Sequence, residues 1–466
     1  MSNTRYVTAP RSKSLRSPLP LRVPALWNAF WREPWSFKFT CIYVFFEYVR
    51  PQQIYSALEI LPWSRLTIAA AIGAYLLEGR GLRSRTVANT LLVCLLVVVL
   101  LSSLFAYSPE YSFSRFVFFA NWLIAFFLIA NTATDQRKFF IFVVLFLLWS
   151  TKMSQFAARS FLLGGGASGG APGWFQNTGE FALQMCIFVP LSLHFLLGLL
   201  PSLTKTQVWL LALLPISGTL GIINSGSRGG VLGFACVCLW MLLQSKRKLR
   251  GLVALSLVVP MVWALLPQYQ KDRFRTAGAD ETSITRLTYW KRGLEMANAH
   301  PVLGVGYENW VPYYQDHYPP APGELVRYSA PGQLVIEVSH NSFIEIVSQL
   351  GYSGLLLFVS LILAVWYINW RTRTVLSGLG ERARFLRHLS FGLDAGTVGF
   401  VVAGSFMAVA LNPFIWFQLA MTAALHAAAL REASAGRDVR PRRSDHRSVV
   451  VDPFSRSAFT ANARRT

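Results

Sequence analysis

Acidic side chains are scarce in this chain. Asp and Glu together number 22 against 44 Lys and Arg, and charged residues of both signs make up only 14% of the 466 positions, while 53% are apolar. A soluble domain is charged at about 25% of its positions, so the apolar excess faces something other than water. Cysteine is also sparse. The five thiols, Cys41, Cys94, Cys186, Cys236 and Cys238, lie inside apolar runs without metal-ligand or redox spacing, which excludes a disulfide framework and predicts buried structural thiols. The seven histidines are scattered, with no His-x-x-x-His, His-Glu-x-x-His or Asp-x-Asp, so a metal centre is not expected. No Gly-Lys-Ser/Thr closes a phosphate loop. Gly304-Val305-Gly306 lacks the third glycine of a dinucleotide fingerprint, and no nucleophile elbow is present. No cofactor is therefore expected. The net charge of +22 does not point to nucleic acid, because the basic residues sit in short loops between apolar runs rather than along one aromatic-studded face. The basic first residues, with Arg5, Arg11, Lys13, Arg16, Arg22 and Arg32, lack a signal-peptide core and read as a retained cytoplasmic tail.

What the chain has is long apolar runs. Hydropathy, broken at Pro, Gly and charge, predicts an all-α, polytopic integral membrane protein with about twelve transmembrane helices, near 37–50, 66–79, 88–106, 113–131, 138–156, 178–200, 206–226, 229–244, 250–266, 341–370, 390–411 and 413–430. With both termini inside, every inside loop is basic: Arg80/Arg83/Arg85, Arg137/Lys138, Lys205, Lys246/Arg247/Lys248/Arg250 and Arg371/Arg373/Arg382/Arg384/Arg387. The organisation expected is a basic cytoplasmic tail (1–36), nine helices (37–266), a large periplasmic loop with amphipathic helices (267–339), three further helices (340–430) and a basic disordered tail (431–466).

Two outer segments break the apolar pattern. Gly164 to Gly170, followed by Trp174, reads as a mobile loop. In the large loop, Thr282 or Ser283 is expected to cap a helix through Ala299, with Ile284, Leu287, Leu294 and Ala297 on its apolar face and Arg286, Tyr289, Gly293 and Met296 on the adjacent one. Gln333 to Val338 suits a short strand. Ser339 is expected to cap the next helix, placing His340 in its first turn, where the positive helix end favours a neutral, proton-accepting imidazole. Asn341 and Glu345 fall four apart on the same helix, in reach of each other or of a polar ligand. Arg228, in Asn224-Ser225-Gly226-Ser227-Arg228-Gly229-Gly230, sits at a tight two-helix hinge and needs an anionic partner, either a carboxylate of this chain or a ligand phosphate. Arg286 has the same two readings.

Three stretches carry a resemblance: Ser225 to Gly230; Arg286 through Asn309, with Trp290, His300-Pro301 and Gly304-Val305-Gly306; and His340-Asn341-Ser342-Phe343-Ile344-Glu345 followed by Gly351 and Gly354. On them the chain resembles the O-antigen ligase and Wzy-type polymerase superfamily of bacterial envelope glycosyltransferases, most closely an O-antigen ligase. The resemblance implies a metal-independent, inverting enzyme of lipopolysaccharide biosynthesis in the inner membrane, with its active site on the periplasmic side. It would move a glycan from undecaprenyl diphosphate to an acceptor sugar, lipid A-core in the ligases. It further implies His340 as general base, Arg228 and Arg286 on the diphosphate, and Arg50, Lys152, Arg159, Trp290, Asn341 and Glu345 as substrate-binding candidates. A Wzy-type polymerase and a protein O-glycosylation ligase stand beside the ligase reading. From other classes stand a transporter or flippase, which twelve helices and intramembrane charges also suit although no internal repeat is visible, and a non-catalytic envelope scaffold.

Overall fold

Apolar segments of this length fold as helices because lipid offers no partner to an open N–H or C=O, and a helix pairs them within the segment. The structure is a computed structural model that describes residues 21–164, 177–266, 268–276, 278–319, 327–329, 333–335 and 337–438. Most of the glycine-rich stretch with Trp174, the prolines at 320 and 322, residues 1–20 and residues 439–466 lie outside the described residues. The helices are α1 (Val23–Trp31), α2 (Trp35–Tyr48), α3 (Trp63–Leu77), α4 (Val87–Leu104), α5 (Pro109–Thr132), α6 (Gln136–Leu162), α7 (Thr178–Leu199), α8 (Lys205–Asn224), α9 (Arg228–Gln244), α10 (Lys248–Leu265), α11 (Gln268–Arg275), α12 (Glu281–Ala299), α13 (Trp310–His317), α14 (Ser342–Val375), α15 (Arg384–Gly404) and α16 (Pro413–Asp438). Short strands β1 (Arg327–Ser329) and β2 (Gln333–Val335) pair antiparallel between α13 and α14, the second within the segment expected to be a strand.

All twelve expected spans fall on helices. Seven of these, α4 to α8, α14 and α16, are long and apolar enough to cross a membrane, and α3 and α9 are shorter apolar helices. Within the amino-terminal segment expected to be a basic tail, Val23–Trp31 form helix α1. α1 is tied down by Gln207, whose Nε2 donates to the Leu21 carbonyl (3.4 Å), and by Arg137, which bonds the Ala29 carbonyl (3.2 Å) and pairs with Glu33 (3.0 Å). Cys94 corrects the thiol expectation, since it is exposed on α4, while Cys41 and Cys186 are buried.

α7 and α16 occupy the interior and are buried along most of their length, whereas α4 and α8 turn Val93, Val97, Leu101, Trp209, Leu213 and Ile216 outward, as lipid-facing helices do. α14 is bent at Gly351, whose φ of 68° and ψ of −172° break the helix. The kink lets the segment after α12 lie backbone to backbone against α14: Tyr352 N–H donates to the Pro301 carbonyl (2.8 Å), and Val305 and Gly306 N–H donate to the Ser348 (2.9 Å) and Gln349 (3.2 Å) carbonyls. A Cβ at Gly304 would stand 2.3 Å from the Gln349 carbonyl carbon, so only glycine fits. The glycines shared with the family motif thus dock the outer segment onto α14.

Candidate functional site

One end of the helix bundle gathers the candidate residues. The loop between α15 and α16 joins two helix starts there. Phe406 covers Gly229 in the first turn of α9, and Ser342 at the start of α14 donates its hydroxyl to the Met407 carbonyl (2.8 Å) and accepts from Val409 N–H (3.2 Å). Gly229 and Gly230 serve this packing, because a Cβ would meet Phe406 at 2.9 Å and Ala182 at 2.4 Å.

Arg228, the first residue of α9, finds its carboxylate within the chain. Its Nη1 and Nη2 hold the two oxygens of Asp280 at 2.8 and 3.2 Å, a bidentate pairing, and Nη2 also reaches Ser283 Oγ at 3.4 Å. Asp280, not Thr282 or Ser283, is the N-cap of α12, accepting from Ser283 N–H. The Arg228 guanidinium and the Ser283 hydroxyl hold the Asp280 carboxyl well below the usual carboxylate range. Nη1 of Arg228 also donates to the Arg273 carbonyl (2.9 Å), and Arg273 Nη1 donates to the Gly226 carbonyl (3.3 Å).

Two turns into α12, Arg286 is half-buried. Burial, and then the guanidiniums of Arg228 and Arg273, push it below its ordinary value, while Glu337 and Asp280 act the other way. Its Nε is buried with no hydrogen-bond partner among the described residues. α12 packs inward through Tyr289, Gly293, Met296 and Ala297, while Ile284, Leu287 and Leu294 are 48%, 55% and 44% exposed. The face expected to be adjacent is therefore the packed one, because Gly293 lets α12 approach Ile344 on α14 closely, and three of the residues expected to pack point outward.

His340 lies before α14, not in its first turn. Asn341 is the N-cap, its side chain accepting from Phe343 (2.9 Å) and Ile344 (3.2 Å) N–H, and His340 adopts a left-handed φ of 49°. Ser339 is not the cap. Non-glycine residues rarely take this conformation, and such outliers gather at functional sites. Aromatic side chains strap the segment down: Trp310 Nε1 donates to the Glu337 carbonyl (3.1 Å), Trp290 Nε1 to the Ser339 carbonyl (3.0 Å), and Tyr289 Oη accepts from Glu337 N–H (3.4 Å). His340 Nε2 stands 3.0 Å from Glu337 Oε2. A carboxylate only accepts, so when the ring is neutral Nε2 carries the proton and Nδ1 the lone pair. A carboxylate-oriented imidazole of this kind is equipped to take a proton from a hydroxyl.

The other candidates divide. Trp290 belongs to the strap. Asn341 caps α14, and Glu345 is buried with Oε2 accepting from Ala410 N–H (3.0 Å), so this pair serves the helix start and the α15–α16 loop. Arg50 also has a left-handed φ, of 47°, and binds Glu47 at 2.9 Å. Asn224 donates to the Ala157 carbonyl (3.2 Å), bringing the end of α6 that carries Arg159 alongside the end of α8 next to Arg228. Lys152 and Arg159 are exposed and form no ion pair among the described residues. Arg273, Asp280 and Glu337 were not singled out by motif. The signal for the two acids was the concentration of outer carboxylates in the large loop, and Asp280 also stands three residues before a serine at a helix start. Among the described residues no three His, Cys, Asp or Glu side chains converge as a metal site requires.

Comparison with known families finds two matches. Residues 210–359, from α8 into α14, match the O-antigen ligase family, Wzy_C, and residues 23–181 match a family of unknown function, DUF5935. Over about a third of its length the chain thus carries an O-antigen ligase domain, which supports a multi-pass membrane protein of the glycosyl-transfer, ligase or polymerase type. No curated protein matches it.

Proposed function

We propose that this protein is an O-antigen ligase-type transferase that moves a glycan from undecaprenyl diphosphate to an acceptor sugar, lipid A-core, at the periplasmic face of the bacterial inner membrane, with twelve spans and α11 to α13 outside the membrane. The observation that carries the reading is that Arg228 and His340 are each held by a carboxylate, Asp280 and Glu337, at one end of the bundle, with Arg286 in electrostatic reach of both acids. The donor already holds a diphosphate leaving group, so neither nucleotide nor metal is needed. Arg228 and Arg286 stabilise the charge that grows on the departing diphosphate, as oriented donors do in other transferases. His340, oriented by Glu337, takes the proton of the acceptor hydroxyl as its oxygen attacks the anomeric carbon, and the single displacement inverts that centre. Arg50 and Arg159 line the approach of the donor, with Lys152 two turns away from Arg159 on α6.

The test supplies purified protein in lipid nanodiscs with an undecaprenyl-diphosphate-linked glycan and, separately, lipid A-core, a second carrier-linked glycan or an acceptor protein. Transfer to lipid A-core is the expected result. Transfer to a second carrier-linked glycan would make the protein a polymerase, transfer to protein a protein O-glycosylation ligase, and movement of the donor across the bilayer without bond formation a flippase.

A further inference from the structure

Arg273 lies outside the stretches that resemble the family's motifs, and the reading above gives it no task. Its position on α11 is nevertheless fixed from both sides: its side chain donates to the Gly226 carbonyl, and its carbonyl accepts from Arg228. Those two contacts tie Arg273 to the start of α9, next to Arg228, with Arg286 close enough to feel both charges. Like charges so placed repel, and although Arg273 is exposed, Arg286 is half-buried, where less water screens them. Among the described residues Asp280 and Glu337 offset the Arg286 charge, and both have other duties, since Asp280 is held by Arg228 and caps α12 while Glu337 orients His340. Among the described residues no carboxylate comes within ion-pair distance of Arg273 or Arg286. Two polar groups here are buried without a hydrogen-bond partner among the described residues: Nε of Arg286 and the amide of Gln270, one turn before Arg273. Buried polar groups are normally satisfied, so a positive excess beside unused donors marks a place where an anion with several acceptor oxygens belongs.

We propose that Arg273 is the third cation of this site and binds the second phosphate of the donor's diphosphate, beside Arg228 and Arg286. The proposal rests on the donor reading given above and adds a reason for a third arginine. A diphosphate esterified at both ends carries one negative charge on each phosphate. When the acceptor oxygen bonds to the anomeric carbon, the bond from that carbon to the phosphate oxygen breaks and its electron pair stays on the oxygen. The acceptor's proton goes to His340. The departing diphosphate thus gains a third charge, and three guanidiniums meet it.

The experiment measures binding of inorganic pyrophosphate to the full-length protein in phosphatidylcholine nanodiscs, by the rise in unfolding temperature that it produces. Arg273→Gln should weaken binding by about tenfold or more, the usual consequence of losing a charge-assisted contact. Arg273→Lys should fall between, because an ammonium keeps the charge but not the planar fork. Arg275→Gln, which removes an exposed arginine paired with Asp272, should bind as wild type. If Arg286→Gln weakens binding while Arg273→Gln and Arg273→Lys do not, the role of Arg273 is refuted and the donor reading stands. If neither Arg286→Gln nor Arg273→Gln changes binding, both fall. Should Arg273→Gln not fold, the lysine variant decides, and wild-type affinity in it overturns the proposal. Phosphatidylglycerol that competes with pyrophosphate as well as undecaprenyl diphosphate does would also overturn it, by showing a general site for lipid headgroups.

Discussion

Two helix starts frame the candidate site, and they are built differently. At α12 the capping residue and the carboxylate that holds the site's cation are one and the same: Asp280 caps the helix and grips Arg228. At α14 the tasks are split, for Asn341 caps the helix while Glu337, three residues before His340, holds the imidazole. Where one side chain does both, removing the chemistry also loosens the fold. Where two side chains share the work, the imidazole can be deleted and the helix still starts correctly. The difference predicts which mutants report on chemistry alone.

The largest effect should come at the divided start. His340→Ala should reduce transfer by about 10²-fold or more, the usual size of a lost general base, while leaving the unfolding temperature and pyrophosphate binding near wild type. Glu337→Gln should reduce transfer less, because an amide still bonds the ring but no longer stabilises the imidazolium that forms. Rates measured in nanodiscs alongside thermal unfolding separate the two. Near-normal turnover in His340→Ala would remove the imidazole from the chemistry. A collapse of the fold in that variant would break the comparison, since it would make His340 part of the helix start.

At the undivided start the expected signature is mixed. Arg228→Gln should lower donor affinity and stability together, and Arg228→Gln with Asp280→Asn should cost less than the sum of the single changes because the partners meet directly. The pH dependence has a defined sign. The folded Asp280 carboxyl titrates below its unfolded value of about 4, so the pair's contribution to stability is complete above that pH and is lost as pH falls through the folded value. Asp280 is partly exposed, with a quarter of its side chain accessible, so solvent screening keeps the contribution modest. Acid unfolding followed between pH 6 and 2 should therefore show a decline in wild type that is shallower in Asp280→Asn. Equal slopes in the two proteins would show that the ion pair does not anchor α12.

Much of the fold was legible in the sequence because lipid imposes a strong constraint: every apolar run that was long enough became a helix, and the basic loops marked its ends. α1 was hidden because its nine residues, between Arg22 and Arg32, are too few to register as a membrane span. The site was legible by residue type and not by partner. Arg228, Arg286 and His340 came from motifs, but which carboxylate would neutralise which cation depended on how α12 folds back onto α9, a contact 52 residues apart in sequence. The helix caps were misread for a local reason. Asp280-Glu281-Thr282-Ser283 and Ser339-His340-Asn341 each offer several capping side chains, and the strap of Trp290, Trp310 and Tyr289 settles the choice at the second by fixing the backbone up to Ser339.

The smallest effect tests the caps themselves. Asn341→Ala removes two hydrogen bonds to the first turn of α14 and should cost about 1 kcal/mol, the usual worth of an N-cap. Asp280→Ala removes a cap of similar worth, and it also leaves Arg228 without its carboxylate, so it should cost more than Asn341→Ala by the value of the pair. Asp280→Asn isolates that second part, because asparagine caps as well as aspartate does and only the charge is lost. If the two alanine variants unfold at the same temperature and Asp280→Asn matches wild type at neutral pH, Asp280 is a cap and nothing more. Arg228 would then be free to turn wholly toward a ligand, and the two helix starts would be alike. A larger loss for Asp280→Ala, half recovered in Asp280→Asn, would place the coupling between fold and anion site at this one carboxylate.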